Sequence, residues 1–235
     1  MMLSIHHKLP RDDAMLGMVR AEGVSVDSLP SGFEAQLAAL TAQRAGPLTE
    51  AEEAVRKAVR ALLRNGRYKP KGRGKPASEY LLRAAQDDAQ GFPRINAPVD
   101  VANYISLKTG LPVSLWDLDR AGATRFCFRL GRAGEAYVFN TAGQLITLDD
   151  LIVGCSLAQD EDDGQPVVNP VKDSLATKTT AQTRRVAACI YTPLSVASPD
   201  ELAVLCAEFA ALLAGCGEAV ETAYGVVMPG AIRSV

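Results

Sequence analysis

"RRVAACIYTPLSVASPDELAVLCAEFAALLAG" spans residues 184–215, and its two halves call for different backbones. The first half, Arg184–Pro193, is a short apolar run closed by a proline, the pattern of a strand. The second half opens with a helix-start signal. Ser198 and Glu201 form a capping box, each able to satisfy an exposed N–H of the other's residue, and Pro199 sits at the first helical position. Leu202, Leu205, Phe209 and Leu212 then give a core face, and Gly215 ends the helix.

Upstream of this pair the texture is strand-like as far back as Gly122. "RFCFRLG" (125–131), "EAYVFN" (135–140), "QLITL" (144–148), "LIVGCS" (151–156) and "QPVVNPV" (165–171) are short apolar or alternating segments separated by Gly, Asp and Asn. That spacing suits antiparallel strands with tight connections. "DEDD" (160–163) reads as an exposed turn between two of them.

Further upstream the signals are helical. A candidate helix lies at Ser31–Gln43 within a loose, helical stretch covering residues 1–50. A better one follows a second capping box, Thr49 with Glu52, with Val55, Val59 and Leu62 at helical spacing. Gly66 stands where a left-handed C-terminal residue is expected. A shorter helix is expected over "ASEYLLRAAQDDA" (77–89). Helices, then strands, then a helix make the class α+β, a mixed or antiparallel sheet flanked by helices with a helical N-terminal segment. The expected divisions are an N-terminal extension (1–50), a central domain (51–217) and a C-terminal tail (218–235).

The 235 residues (24.9 kDa) are 48% hydrophobic and 22% charged, enough for a full core. The five cysteines are scattered and never in a CxxC pair, as expected of buried, reduced thiols in a cytoplasmic protein. "MMLSIHHKLPRDD" lacks the apolar stretch of a signal peptide, and no apolar run is long enough to span a membrane. The two histidines, His6 and His7, lie at the extreme N-terminus, away from any Ser-His-Asp or Cys-His arrangement. "KGRGKP" lacks P-loop spacing, and no GxGxxG follows a strand. No cofactor and no metal site are expected.

Three polar features stand out. Between Glu53 and Glu79 lie nine Lys or Arg and no acid, although the net charge is only −2. Lysine and arginine clustered in this way form the electrostatic footprint of nucleic-acid binding. Arg64, Arg67, Lys69, Lys71, Arg73 and Lys75 are the candidate phosphate contacts, with Arg94 beyond them. Tyr68 and Tyr80 are available to stack on unpaired bases. The second feature is a helical stripe of Asn96, Asp100 and Asn103, opposite Val101 and Ile105. Asn96 suits an N-cap and Asp100 a first-turn charge, but neither role explains Asn103. The third is "VNPVKDSLATKTT" (168–180), a loop crowded with Asn169, Lys172, Asp173, Ser174, Thr177, Thr179 and Thr180. Together the stripe and this loop are expected to form a pocket rich in uncharged hydrogen-bonding groups.

"INAPVDVANYISLKTGLPVSLWDLD" (95–119), the strands after it and "PVVNPVKDSLATKTTAQTRRVAACIYTPLSV" (166–196) resemble the B3/B4 domain of the phenylalanyl-tRNA synthetase β-subunit. They resemble the standalone B3/4-domain proteins more closely. The shared features are N-x-x-V-D-V-x-N-Y, G-x-P-x-x-x-x-D-L-D and D-S-x-x-T-K-x-T, in this order, over roughly residues 55–195. The lead-in "RYKPKGRGKPASEYLLRAA" also looks like that of the standalone members. The resemblance implies a cleft over a mixed sheet in which the ester between a wrong amino acid and the terminal ribose of tRNA is hydrolysed. It also implies a freestanding enzyme acting on mischarged tRNA. Ser114 stands where the synthetases commonly have His, and "NPVKDS" replaces a glycine-rich stretch.

Hydrolysis of an already activated ester requires a held adenosine, one positioned water and a stabilised oxyanion. A free ribose hydroxyl assisting the water removes the need for His. Asn103, Ser114, Asn169, Lys172 and Ser174 are expected as donors to the ester or ribose, and Asp100 or Asp173 as the holder of the α-ammonium. Asn96 and Thr177 are expected to complete the substrate contacts. The expected partner is mischarged tRNA, with neither membrane nor DNA. The amino acid is expected to be a non-cognate one, with canavanine on arginine tRNA ahead of tyrosine on phenylalanine tRNA. The other reading is a tRNA- or partner-binding module without activity.

Overall fold

The computed structural model describes residues 1–87, 91–159 and 161–235. Arg185–Pro193 is indeed a strand and Pro199–Ala214 a helix; in chain order they are β9 and α6. Both halves of the Ser198–Glu201 capping box form, with Ser198 Oγ accepting from the Glu201 N–H and Glu201 Oε2 accepting from the Ser198 N–H. The buried face of α6 is rotated from the expected one: Leu202, Cys206, Phe209 and Leu213 point inward, while Leu205 and Leu212 are half-buried. Positions 0, 4, 7 and 11 follow the 3.6-residue period, and counting leucines alone passes over Cys206.

The N-terminal segment differs from the helical expectation. Its helix is α1 (Phe33–Arg44), but Ser4–His7 and Ala14–Glu22 are strands, β1 and β2. Ala14, Leu16 and Met18 of β2 face one core while Met15, Val19 and Ala21 face the other, so the period-2 signature is lost and the run looks merely hydrophobic. Residues 218–235 likewise supply two strands, β10 (Glu221–Val227) and β11 (Ile232–Ser234).

The remaining elements are α2 (Glu50–Leu62), α3 (Ala77–Gln86), α4 (Ala97–Thr109), β3 (Val113–Asp117), α5 (Leu118–Ala121), β4 (Arg125–Leu130), β5 (Ala136–Val138), β6 (Leu145–Thr147), β7 (Ile152–Ser156) and β8 (Gln165–Val168). The Thr49–Glu52 capping box of α2 is also closed in both directions. Gly66 does take a positive φ of 44°, but it lies past the Leu63 C-cap and turns the chain into the basic loop. Residues 88 and 89 of the third expected helix, and residue 160 of the acidic turn, lie outside the described residues.

Five strands in the order β11-β1-β4-β7-β8 form one sheet, and β10-β2-β9-β3 form a four-stranded second. All pairings are antiparallel except β1 with β4. The α+β class with helices flanking sheets holds. Leu16 and Met18 of β2, with Ala187, Cys189 and Tyr191 of β9, face the five-stranded sheet and its Phe126, Phe128 and Ile152. Their alternates Met15, Val19, Ala188 and Ile190 face α1, α4 and α6. The middle sheet is therefore covered on both sides, giving three layers and two cores. Gly17 permits the close approach of α6, since a Cβ there would lie 2.7 Å from Cys206 Sγ and 2.8 Å from Leu202 Cδ1.

The short β5–β6 hairpin stands apart as its own two-stranded sheet. It projects over the end of β8, where the polar loop 169–184 begins. All five cysteines are buried and free. His7 is buried in β1 with Nε2 2.9 Å from the Ala14 carbonyl, so the N-terminus is an integral strand and not a loose tail. Among the described residues no helix is long and apolar enough to cross a membrane.

Candidate functional site

The turn after β8 is organised by one side chain. Asn169 Oδ1 accepts the N–H groups of Val171 (2.8 Å) and Lys172 (2.7 Å), folding the backbone back on itself. Its Nδ2 donates to the Tyr137 hydroxyl at 2.5 Å, and that hydroxyl donates to the Lys172 carbonyl at 2.8 Å. Tyr137, on the hairpin, thus clamps both ends of the turn. Asp173 fastens it from within, its two oxygens accepting from the N–H of Asn169 (3.2 Å) and of Leu115 on β3 (3.3 Å). Ser114, the neighbour of Leu115, donates to the Asn169 carbonyl at 3.0 Å and meets the Tyr191 hydroxyl at 3.1 Å. Asn169, Ser114 and Tyr191 are fully or almost fully buried, so these are framework groups.

Electrostatics follow from that enclosure. Burial pushes the Asp173 carboxyl up to about 7, against the pull of Ser114 and the two backbone donors. Asp173 retains some exposed surface as a residue, but its carboxylate is walled in. Desolvation drives the Tyr137 and Tyr191 phenols well above their ordinary range. Lys172 titrates below its usual value, first through desolvation and then through repulsion by Arg73 and Lys178. Its ammonium lies over the Phe139 ring, 4.2 Å from the centroid. Lys178 donates to the Phe139 carbonyl at 2.7 Å, so both ammonium groups gather around one residue of the hairpin.

The basic loop closes the opposite side. Arg67 N–H donates to Asp150 (2.6 Å), Tyr68 Oη to the Gly74 carbonyl (2.7 Å) and Tyr80 Oη to the Gly72 carbonyl (3.3 Å). At its far end Ala77 N–H donates to the Pro170 carbonyl at 2.9 Å, joining the loop to the Asn169 turn. The result is an open groove of about 750 Å³ whose walls include Tyr68, Arg73, Tyr80, Phe139, Leu145 and Lys172. No acidic residue is among its described walls. Beyond Tyr137 lies a second open cleft of about 960 Å³, bordered by Arg120, Glu135, Tyr137, Gln165, Ser174 and Thr177.

The structure therefore brings Arg73 and Lys172 together in the groove and places Asn169, Asp173 and Ser114 in the framework behind it. Ser174 and Thr177 border the second cleft, where the Ser174 hydroxyl accepts from Ala176 N–H and the Thr177 hydroxyl donates to the Val167 carbonyl. Arg64, Arg67, Lys69 and Lys71 are exposed and Lys75 half-buried; among the described residues none makes a side-chain ion pair. Arg56 and Arg60 of the same basic run are instead held by Glu53 and Glu79.

The α4 stripe borders neither opening. Asn96 caps α4 by accepting from Val99 N–H (3.2 Å) and donates to Thr179 Oγ1 (2.8 Å), its one link to the polar loop. Asp100 is buried, with Ile95 N–H on one oxygen and Arg94 Nε on the other. Arg94 also forks onto Glu34, so that cation is committed within the fold. Asn103 is half-buried and makes no side-chain hydrogen bond among the described residues. Sequence reasoning passed over Tyr137, Phe139, Lys178 and Tyr191. Only Lys178 carried a signal, as the Lys of D-S-x-x-T-K-x-T; the others lie in segments recognisable only as strands.

Residues 71–199, more than half of the chain, match the family model described as the B3/4 domain. The chain belongs to the B3/4 domain family. This B3/4 domain is 36% identical over 63 residues to the phenylalanine–tRNA ligase β-subunit of Halalkalibacterium halodurans, a match covering 27% of the chain and 7% of that subunit. The chain thus spans only a small part of that relative's length. Among solved structures it is similar to an N-terminal fragment of the phenylalanyl-tRNA synthetase β-subunit from Pyrococcus horikoshii (TM-score 0.39, 12% identity, 59% of this chain and 44% of that chain). The match begins at Lys71 inside the basic loop and runs through α4 and the Asn169 turn to the start of α6. It therefore contains Arg73, Lys172 and Lys178, the cations in and beside the groove, and Phe139, which the two lysines meet.

Proposed function

We propose that this chain hydrolyses the ester of a mischarged aminoacyl-tRNA, the groove beside Lys172 receiving the tRNA 3′ end. The observation that carries this reading is the pairing of Arg73 and Lys172 with Tyr68, Tyr80 and Phe139 in one groove without an acidic wall. A single-stranded nucleotide end needs cations for its phosphates and ring faces for its bases, and the groove offers both. The exposed cations Arg64, Arg67, Lys69 and Lys71 extend the same field towards the tRNA body.

In this reading a water attacks the ester carbonyl carbon. The bond from that carbon to the ribose oxygen breaks, and the ribose oxygen takes a proton while the amino acid leaves as the free acid. The neighbouring ribose hydroxyl orients the water. The Lys172 ammonium, held in a partly desolvated position over Phe139, offsets the negative charge that develops on the carbonyl oxygen. Asn169, Asp173 and Tyr137 fix the turn that carries Lys172, so they act by positioning. Asn103 is proposed as a substrate contact, whereas Asp173, with both oxygens on backbone N–H groups, acts by positioning alone. The acyl group removed is a non-cognate or non-protein amino acid, with canavanine on arginine tRNA first and tyrosine on phenylalanine tRNA next.

The test is ester loss from labelled aminoacyl-tRNAs, correctly and wrongly charged, incubated with the full chain. Loss from a mischarged species well above the buffer rate supports the enzyme. No loss from any species sinks it. One observation favours a tRNA-binding module without turnover: Ser114, at the position of the synthetase His, has its hydroxyl committed to Asn169 and Tyr191 inside the framework. In that case tRNA binding persists while every ester survives.

A further inference from the structure

We infer that the Lys172 groove selects acyl groups whose side chains carry no positive charge, and that it rejects lysine- and arginine-like cations by electrostatic repulsion. This rests on the deacylase reading of the same groove and adds its substrate class. Two cations stand in the groove and a third lies beside it. Lys172 lies over the Phe139 ring, Lys178 donates to the Phe139 carbonyl, and Arg73 stands on the facing loop wall. Desolvation first, and then the charges of Arg73 and Lys178, lower the affinity of Lys172 for its proton.

A cationic side chain is held most strongly by a free carboxylate, and the acids nearby are engaged elsewhere. Glu79 is held bidentate by Arg60, at 2.5 and 2.6 Å. Asp173 gives both oxygens to backbone N–H groups and is half protonated near neutral pH. Across Tyr137, Glu135 accepts both guanidinium nitrogens of Arg129, at 2.7 and 2.8 Å. A guanidinium or ammonium entering beside Lys172 therefore meets like charge with no compensating partner. The α-ammonium is common to every aminoacyl ester, so the difference between substrates lies in the side chain. Neutral groups instead find hydrogen-bonding chemistry in Gln144 and Thr147, and apolar contact with Leu145. An oxyguanidine is a far weaker base than a guanidine, so near neutral pH canavanine carries much less positive charge into the groove than arginine does.

The experiment uses pairs on one tRNA that differ in side-chain charge: arginine against its near-isostere citrulline, and lysine against its larger Nε-acetyl form, each attached as the 3′ ester. Ester loss is followed at low and at raised salt, for the intact protein and for Lys178→Gln. The inference predicts that each neutral ester is lost about tenfold faster than its cationic partner, with the ratio shrinking as salt screens the field. Lys178→Gln narrows the ratio further. Equal rates, or faster loss of the cationic ester, overturn charge selection and leave the deacylase standing. Binding of the same pairs as 3′ amides, which resist hydrolysis, separates the two readings if no ester is cleaved. Tighter binding of the neutral amide then supports charge selection in a non-catalytic groove, and equal or tighter binding of the cationic amide overturns it.

Discussion

The Ser114 hydroxyl on β3 and the Tyr191 hydroxyl on β9 lie 3.1 Å apart in the core between the two sheets. Ser114 donates onward to the Asn169 carbonyl, so the phenol donates to Ser114 and the chain of hydrogen bonds ends on the turn that carries Lys172. Both side chains are wholly buried, where an unpaired hydroxyl is costly.

Ser114→Ala and Tyr191→Phe should each lower stability in urea titration, by about 1–3 kcal/mol, Ser114→Ala more because it strands both the phenol and a carbonyl. The double variant should cost less than the sum of the two, since it removes both partners together. Strict additivity would show that the pair does not interact.

Asp173 gives the stability of the protein a pH dependence opposite to that of an ordinary paired carboxylate. Its folded value of about 7 lies above the ordinary 3.8, so its contribution is fully present below pH 4 and is lost as pH rises through 7. In the window between, the unfolded chain is ionised while the folded one holds a proton, giving a fall of up to about 1.4 kcal/mol per pH unit. Asp173→Asn should flatten this slope in denaturation curves taken from pH 4 to 7. An unchanged slope would mean that the carboxyl is solvated in the folded protein. Asp173→Ala should in addition reduce deacylation beyond what its loss of stability explains.

Replacing Lys71, Arg73 and Lys75 together by Gln should leave thermal unfolding within about 0.5 kcal/mol of the parent, because among the described residues none has an ion-pair partner to lose. Binding of tRNA should weaken, and the slope of log affinity against log salt should fall by about 0.7 for each phosphate contact removed. Unchanged binding would make the loop ordinary surface.

The α4 stripe divides into separable roles. Asn96→Ala removes the N-cap and the Thr179 link and should cost about 1 kcal/mol. Asp100→Ala leaves the Ile95 N–H and part of Arg94 unpaired and should cost about 1–3 kcal/mol. Asn103→Ala breaks no side-chain hydrogen bond among the described residues and should leave the melting temperature nearly unchanged. A drop in deacylation by Asn103→Ala at constant stability would give that residue a substrate contact; a drop in melting temperature alone would make it structural.

Tyr137→Phe should lower turnover more than tRNA affinity, since the clamp on the Asn169 turn is lost while the cations remain. A matching loss in both, measured as separate kcat and KM changes, would contradict a positioning role.

What could be read directly from the chain was whatever depends on neighbours in sequence. Both capping boxes, the Asn96 cap, the short strands from Arg125 to Val168 and the cation excess between Glu53 and Glu79 are local patterns, and all are found in place. Strand β2 was not legible, because burial on two faces erases the alternation that marks a strand. The candidate site was legible as residue types but not as positions. Asn96, Asp100, Asn169 and Lys172 are all polar, yet only the fold decides which of them meets a backbone N–H and which meets solvent. Asp100 found Arg94 and Ile95, Asn169 found Tyr137, and Lys172 was left beside Arg73 and Lys178. Those outcomes depend on pairing β3 with β9 and on laying the hairpin over the end of β8, contacts between residues dozens of positions apart. The sequence determined the elements, their caps and the charge carried by the loop; the tertiary structure decided which charges are satisfied and which remain free to act.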